Sequence, residues 1–483
     1  MLDRKKYEEE LQLAREKQIE EISQYLSDYI KLNANIRDLP FTPDDSKKLL
    51  DEIDSIEISR NSREVKDIAN ELIDKVFTKA MLIQHPRFLS FVTSAVSPYS
   101  LAGSILTDIY SVNTCGFVEA PGVGVIEAKL IRWMGSLAGF DDKCGGVFTS
   151  GGSLSNLTGM ICARDHLIAE DDITKAVAYT SDQAHSSIRK GMKLMGLKKD
   201  NIKIIPSDDN FKIRLDLLQE EIEKDIKDGK IPFLIVGSLG TTNTGSIDPL
   251  DKLGEIKNKY NMWLHVDGAF GGSILFSDIY RNLAKGINNA NTFSWDTHKW
   301  AMQSYSCSCI IAKDKKKLIE TYAEHPEYLA DVIDGEHTDG FDLGIEMSRP
   351  ARCIKLWFTV QAMGTDSLSD VIDYTFFNAM IAEKQLKKYP DFEITSPMSC
   401  ATLTFRYAPK DIDESKLDDL NALISKTIIE ENIAYIVTTT IKNKKVLRLN
   451  LINANTTDQD VIDVIDELNK IACRIHEESK KNA

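Results

Sequence analysis

The sequence predicts an α/β protein built on a mainly parallel central sheet with helices on both faces, followed by a small α+β domain at the C-terminus. Three observations predict it. Short apolar runs alternate with amphipathic helical stretches from about residue 85 onward, the pattern changes to helices plus a hairpin after Met363-Gly364, and the first 84 residues or so carry helical spacing alone. Alternation of this kind is what parallel pairing requires, because two parallel strands need a crossover long enough to hold a helix.

Residues 1–84 read as a helical arm. Leu11, Leu13, Ile19, Ile22, Leu26 and Ile30 recur at helical spacing in a Lys/Glu-rich, glycine-poor segment, broken by Asp38-Leu39-Pro40 and Thr42-Pro43. In the large domain, 85–363, the strands are expected at 146–149, 176–180, 202–205, 233–236, 263–266 and 309–312. In the small domain, 364–483, the runs 434–438 and 446–450 read as a hairpin joined through Lys442-Asn443-Lys444-Lys445. A final helix is expected from about Thr457, where Thr-Thr-Asp supplies capping groups. No internal repeat, low-complexity tract or Pro/Gly/Ser linker separates these parts, so they are expected to dock tightly.

Composition narrows the function. The 483 residues, 42% of them hydrophobic, suffice for a large core without disulfides or metals. With 59 Lys+Arg against 74 Asp+Glu the net charge is -15, which forfeits the counterion release that drives binding to phosphate backbones. Nucleic acid and anionic membrane surfaces are therefore not expected partners. The eight cysteines contain no CxxC pair and read as reduced core thiols. The N-terminal MLDRKKYEEELQLAREKQIEEI lacks the apolar core of an export signal, and no apolar run reaches a membrane-spanning length of about 18 residues. A cytoplasmic location is the expectation.

The unusual residues gather in loops that follow expected strands, which is where open α/β sheets bind ligands. Thr149-Ser150-Gly151-Gly152-Ser153-Leu154-Ser155-Asn156 precedes a helical run. Its glycines allow close backbone approach to an anion, and hydroxyls and helix N-terminal amides can bind phosphate. Alone it is equally an ordinary turn, and it lacks the Gly-Lys-Ser/Thr of a nucleotide-triphosphate loop. Ser181 to Ser187 places His185 in a polar cluster opening a helix, and Leu239 to Gly245 is a hydroxyl-rich strand end. Last come His265 to Gly272, with Asp267 at a strand end, and Ser294 to Trp300, with Lys299 in apolar company. An acid and a lysine so placed are the parts that pyridoxal phosphate chemistry requires. The lysine forms an internal aldimine, which calls for a desolvated amine of lowered pKa. The acid keeps the pyridine nitrogen protonated, so that the ring can accept electrons from the substrate Cα. Either residue alone would more simply be structural, Asp267 in an ion pair and Lys299 reaching for solvent.

Taken together, these motifs resemble those of the group II pyridoxal-phosphate-dependent amino-acid decarboxylases, over roughly residues 85–480. The resemblance implies fold type I, the aspartate-aminotransferase-like fold, and a homodimer with the active site at the subunit interface and the N-terminal arm packed on the partner. It implies that Lys299 is the aldimine lysine, Asp267 the pyridinium partner and His185 the imidazole stacked on the ring. Gly152 and Ser153 would bind phosphate, Thr242 would lie beside the cofactor and His298 near the phosphate. Asp296 stands where many members carry a neutral asparagine. Because a carboxylate repels a phosphate dianion, Asp296 is assigned no phosphate contact.

Within Glu324 to Leu329 the chain resembles the mobile loop of these decarboxylases, whose tyrosine reaches over the neighbouring subunit's cofactor. Tyr328 would then protonate Cα of the quinonoid after carbon dioxide leaves, a step for which a phenol is a suitable neutral acid. Related aldehyde synthases replace that tyrosine with an apolar residue, so Tyr328 favours simple decarboxylation. His85 to Thr93 resembles the substrate-side segment of aromatic amino-acid decarboxylases, bacterial tryptophan decarboxylases especially, with Phe91 as an apolar wall for a ring and Thr93 beside it. Phe341 stands where such enzymes present a larger aromatic. Asn113 and Glu119 fall in a segment that in the family lines the far end of the substrate site. Glu119 pointing inward would suit a hydroxylated ring, an indole NH or a cation and would repel glutamate; pointing outward it is a surface acid. The rival readings are decarboxylation of a cationic or acidic amino acid, an aldehyde synthase, an aminotransferase using the ambiguous Arg349 or Arg352 for a second carboxylate, and a cofactor-free binding protein.

Overall fold

The computed structural model describes residues 36–324 and 337–481, with a few isolated positions before residue 36. Seven strands form the central sheet: β1 (Gly145–Thr149), β2 (Ala176–Ser181), β3 (Ile202–Ile205), β4 (Ile231–Ser238), β5 (Trp263–Asp267), β6 (Thr292–Asp296) and β7 (Ser308–Ala312). Their order is β1-β7-β6-β5-β4-β2-β3, parallel throughout except for β7, which runs antiparallel to both neighbours.

Period-two geometry explains why these runs are apolar on both sides. Phe148, Tyr179, Ile235, Cys309 and Ile311 feed one hydrophobic layer, and their chain neighbours Val147, Ala178, Val236, Ile310 and Ala312 feed the other. The first layer is closed by helices Pro121–Leu137, Leu215–Lys227 and Leu250–Lys259 through Met134, Leu218 and Leu253. Helices Gly152–Leu167, Ser186–Leu194 and Lys315–Tyr322 close the second through Met160, Met192 and Leu318. Both faces are covered, so every residue of β1, β2, β5, β6 and β7 is buried.

The C-terminal part is a four-stranded antiparallel sheet, β8 (Phe392–Ile394), β9 (Thr402–Tyr407), β10 (Thr438–Ile441) and β11 (Lys444–Asn450), in the order β10-β11-β9-β8. Helices Glu414–Glu430 and Asp458–Lys481 accompany it. The hairpin differs from expectation: its first strand begins at Thr438, not Ala434. Lys442 and Asn443 both adopt left-handed φ, 49° and 61°, so the turn is two residues long and pairs Ile441 with Lys444. Residues 434–437 instead line the core, where the Ile436 carbonyl accepts from Ser425 Oγ at 2.7 Å. The last helix is capped as the sequence suggests, with the Asp460 amide donating to Thr457 Oγ1 at 3.1 Å. Near Met363-Gly364 the long helical run Cys353–Leu386 breaks at Gly364, whose φ of 79° and ψ of 162° only glycine adopts readily.

Segment 36–44 packs on the C-terminal part. Phe41 is buried against His85 and Tyr435, and Arg37 grips Asp460 through two bonds of 2.7 and 3.0 Å. No described helix is long and apolar enough to cross a membrane.

Candidate active site

Strand register assembles the site. Asp267 ends β5 and lies beside Ser238 on β4 and Ser294 on β6. Asp296 ends β6 beside Ser308, which opens β7 and in turn lies beside Thr149 at the end of β1. Loops leaving these ends bring Gly152, Ser153, His185, Thr242, Asp267, His298 and Lys299 around one cavity of ≈ 320 Å³. All seven residues expected to meet a cofactor thus share a wall. Asn156, Ser187, Ser238, Thr241, Asp296 and Tyr305 are also part of it. Tyr305 and Ser308 were not foreseen. A hydroxyl opposite Asp296 follows only from the antiparallel pairing of β6 with β7, and Tyr305 stands in a loop without a motif.

Lys299 corrects one expectation. Burial favours its neutral amine, but the carboxylates of Asp296 and Asp267 outweigh burial and hold its pKa above the ordinary lysine value. Asp296 Oδ2 lies 3.0 Å from Lys299 Nζ. The other oxygen of Asp296 accepts from Ser308 Oγ at 2.6 Å, and His298 Nε2 lies 3.7 Å from Oδ2. Asp296 is therefore engaged by protein groups, in keeping with a residue that makes no phosphate contact. Burial lowers the His298 pKa, and Asp296 partly opposes that shift.

The residues suit pyridoxal phosphate. Asp267 Oδ1 accepts from the Ala269 amide at 3.1 Å and from Ser294 Oγ at 3.4 Å, which anchors an acceptor for a ring N–H at the cavity wall. At Gly152 a Cβ would meet Asp296 Oδ2 at 2.7 Å and Ala269 Cβ at 2.9 Å, so only glycine brings the backbone this close. Gly152 opens helix Gly152–Leu167, whose first-turn amides and the Ser153 hydroxyl are apt donors for a phosphate. Lys299 supplies the amine that such a cofactor needs.

The residues expected to contact substrate lie elsewhere in this chain: among the described residues, the cavity wall does not include Phe91, Thr93, Asn113, Glu119 or Phe341. Phe91 is 45% exposed and packs beside Phe88 and Tyr435, while Thr93 and Phe341 are buried. Glu119 is exposed and accepts from Asn113 Nδ2 at 3.0 Å and the Gly116 amide at 3.2 Å. Asn113 Oδ1 takes the Arg349 amide at 3.2 Å, which ties this loop to residue 349. Tyr328 lies outside the described residues. Arg349 and Arg352 are engaged in forked ion pairs, Arg349 with Glu127 at 2.7 and 2.9 Å and Arg352 with Glu346 at 2.8 Å twice. Neither guanidinium is left free for a second substrate carboxylate.

Comparison with known proteins agrees with this chemistry. Residues 43–408 match the family model described as the pyridoxal-dependent decarboxylase conserved domain. The chain is 32% identical over 419 residues to an aromatic-L-amino-acid decarboxylase of Bacillus atrophaeus, covering 86% of this chain and 87% of the relative. It is 26% identical over 442 residues to an L-2,4-diaminobutyrate decarboxylase of Acinetobacter baumannii, covering 87% and 86%. A crystal structure of Oryza sativa TDC with PLP and tryptamine shares the fold at a TM-score of 0.88, with 22% identity over 95% of this chain and 97% of that one. With a family match across most of its length and the lysine, acid and glycine loop in one cavity, the chain belongs to the pyridoxal-dependent decarboxylases of fold type I, lyases that use pyridoxal phosphate to decarboxylate an amino acid.

Proposed function

We propose that the substrate is an aromatic L-amino acid, converted to its amine and carbon dioxide. The observation that carries this reading is the 32% identity, over 86% of the chain, to an aromatic-L-amino-acid decarboxylase.

Bound pyridoxal phosphate supplies the electron sink for the pair released when the Cα–carboxylate bond breaks. Lys299 Nζ holds it covalently, and the Asp267 carboxylate keeps a proton on its ring nitrogen. The Gly152–Ser153 backbone and hydroxyl, with Thr242 and His298, bind and orient it, and His185 faces the reacting centre from the cavity wall. Tyr328 delivers the proton to the substrate Cα, a role that rests on the resemblance of its loop. The enzyme works as a cytoplasmic homodimer with the site at the subunit interface. Helix Pro98–Tyr110 supports the dimer, since Tyr99, Leu106, Ile109 and Tyr110 leave 41–75% of their surface exposed. Residues 1–84 act as the dimerising arm, 85–363 as the cofactor domain and 364–483 as the small domain.

The test is release of amine and carbon dioxide from Trp, Phe, Tyr, dihydroxyphenylalanine, Glu, Lys, Orn and diaminobutyrate with pyridoxal phosphate added. Aromatic amines are expected. Amine from Lys, Orn or diaminobutyrate alone would overturn the aromatic reading and favour the cationic one. Tyr328→Phe is expected to divert product from amine toward aldehyde and ammonia, with dissolved dioxygen as the two-electron oxidant reduced to hydrogen peroxide, and unchanged clean amine output refutes its role.

A further inference from the structure

We propose that a buried hydrogen-bond relay, Trp263 to Thr292 to His265 to Asn156 to Ser187, is a positioning device that holds His185 as the neutral tautomer with its proton on Nε2. The inference rests on the reading that His185 faces the reacting centre. Its direction follows from donor chemistry. An indole N–H only donates, and Trp263 Nε1 donates to Thr292 Oγ1 at 3.0 Å. Thr292 Oγ1 also lies 2.9 Å from His265 Nδ1 and makes no other side-chain bond among the described residues, so its own proton goes to Nδ1. His265 therefore carries its proton on Nε2, which donates to Asn156 Oδ1 at 2.9 Å.

The reverse arrangement fails. Were the Asn156 amide turned, His265 Nε2 would have to accept and Nδ1–H to donate, and the Thr292 hydroxyl proton would be stranded in the interior without an acceptor, which burial penalises. With the amide as found, Asn156 Nδ2 faces Ser187 Oγ at 3.5 Å and donates to it. The Ser187 proton is then free to donate to His185 Nδ1, 2.9 Å away. The Ser187 backbone amide points at the same Nδ1 from 3.3 Å and demands an acceptor there too. Two donors on Nδ1 leave Nε2 as the protonated nitrogen.

Every member behind His185 is buried, His265 and Thr292 completely. Burial pushes the His265 pKa down to about 3, which keeps it neutral and the relay unidirectional. The links join β5, β6, the helix after β1 and the helix after β2, so one chain of protons ties the imidazole to the sheet.

The experiment is ¹⁵N NMR of histidine-labelled holoenzyme, with the His185 signal identified by its loss in His185→Gln. A single Nε2–H tautomer is expected in the unsubstituted protein. A mixture, or a proton on Nδ1, overturns the proposal whatever the substrate proves to be. Asn156→Asp can only accept, so it draws the Ser187 proton away from His185. The second tautomer should then appear, and kcat should fall about tenfold with KM nearly unchanged. Thr292→Val, which removes the proton given to His265, should act in the same direction, and thermal melting identifies a variant that has failed to fold. Folded Asn156→Asp protein with the native tautomer and native kcat refutes the relay. Because the spectrum is read without substrate, a fixed tautomer in an enzyme that decarboxylates only cationic amino acids would leave the relay standing and the aromatic reading refuted.

Discussion

Replacing Arg349 with methionine tests what the Arg349–Glu127 pair does. The two side chains are 4% and 6% exposed and joined by bonds of 2.7 and 2.9 Å, and Glu127 Oε1 also accepts the Phe148 amide of β1 at 2.8 Å. Arg349→Met leaves the Glu127 carboxylate buried with one backbone donor, and removing one partner of such a pair costs about 3–5 kcal/mol. The entropy of unfolding, about 2.1 cal/mol/K per residue, comes to ~1 kcal/mol/K for 483 residues, so the midpoint should fall by roughly 3–5 °C. Glu127→Gln alone should also destabilise, because it leaves the guanidinium unpaired. The Arg349→Met/Glu127→Gln double variant should be more stable than the sum of the singles by about 2 kcal/mol. The assay is calorimetry of the four proteins at pH 7, with KM measured alongside. An unmoved midpoint together with a large rise in KM would falsify the structural role and return Arg349 to the substrate carboxylate.

Gly152→Ala places a methyl group 2.7–2.9 Å from Asp296 and Ala269, so cofactor affinity, read by absorbance titration, should drop at least about tenfold; unchanged affinity refutes the close-approach argument. Asp296→Asn removes the carboxylate 3.0 Å from Lys299 Nζ, which lowers the lysine pKa and enlarges the neutral, nucleophilic fraction. Stopped-flow capture of pyridoxal phosphate by the apoenzyme should then be faster at neutral pH, and an identical pH profile refutes the pairing. Burial alone would raise the Asp460 pKa, but bonds from Arg37 and Thr457 outweigh it and hold the carboxyl well below its usual range. A lowered folded-state pKa contributes stability that is fully present above the unfolded value of about 3.9 and is lost progressively as pH falls from there through the depressed folded value. Asp460→Asn should therefore cost about 1–3 kcal/mol at pH 7, a deficit that begins to shrink below about pH 4 and narrows further as pH falls toward the folded value, and a melting deficit independent of pH down to about pH 2 refutes this.

The candidate site was legible because its residues are local. Asp267 ends a strand, Gly152 and Ser153, His185, Thr242 and Lys299 sit just past one, and parallel strands of one sheet deliver such ends to the same edge. The same locality identified the cap at Thr457. Where the hairpin starts was not local: a two-residue turn at Lys442-Asn443 set the register, and burial of Ile436 withdrew residues 434–437 from the strand.

Strand–helix periodicity foretold the α/β architecture, and an acid and a lysine at strand ends pointed to pyridoxal phosphate, whereas the fold type and the class of reaction came from the resemblance of the motifs to a known family. Packing across long separations decided the rest. Arg349 meets Glu127 across 222 residues, which removes it from the candidates for a substrate carboxylate. His265 meets Asn156 across 109, which turns two unremarkable motif residues into a path to His185. Even the charge state of Lys299 departed from expectation, because the field of Asp296 and Asp267 outweighs burial once both carboxylates lie beside the amine. Electrostatic and hydrogen-bond partners are chosen by distance in space, and distance in space is set by the folded sheet, not by separation along the chain.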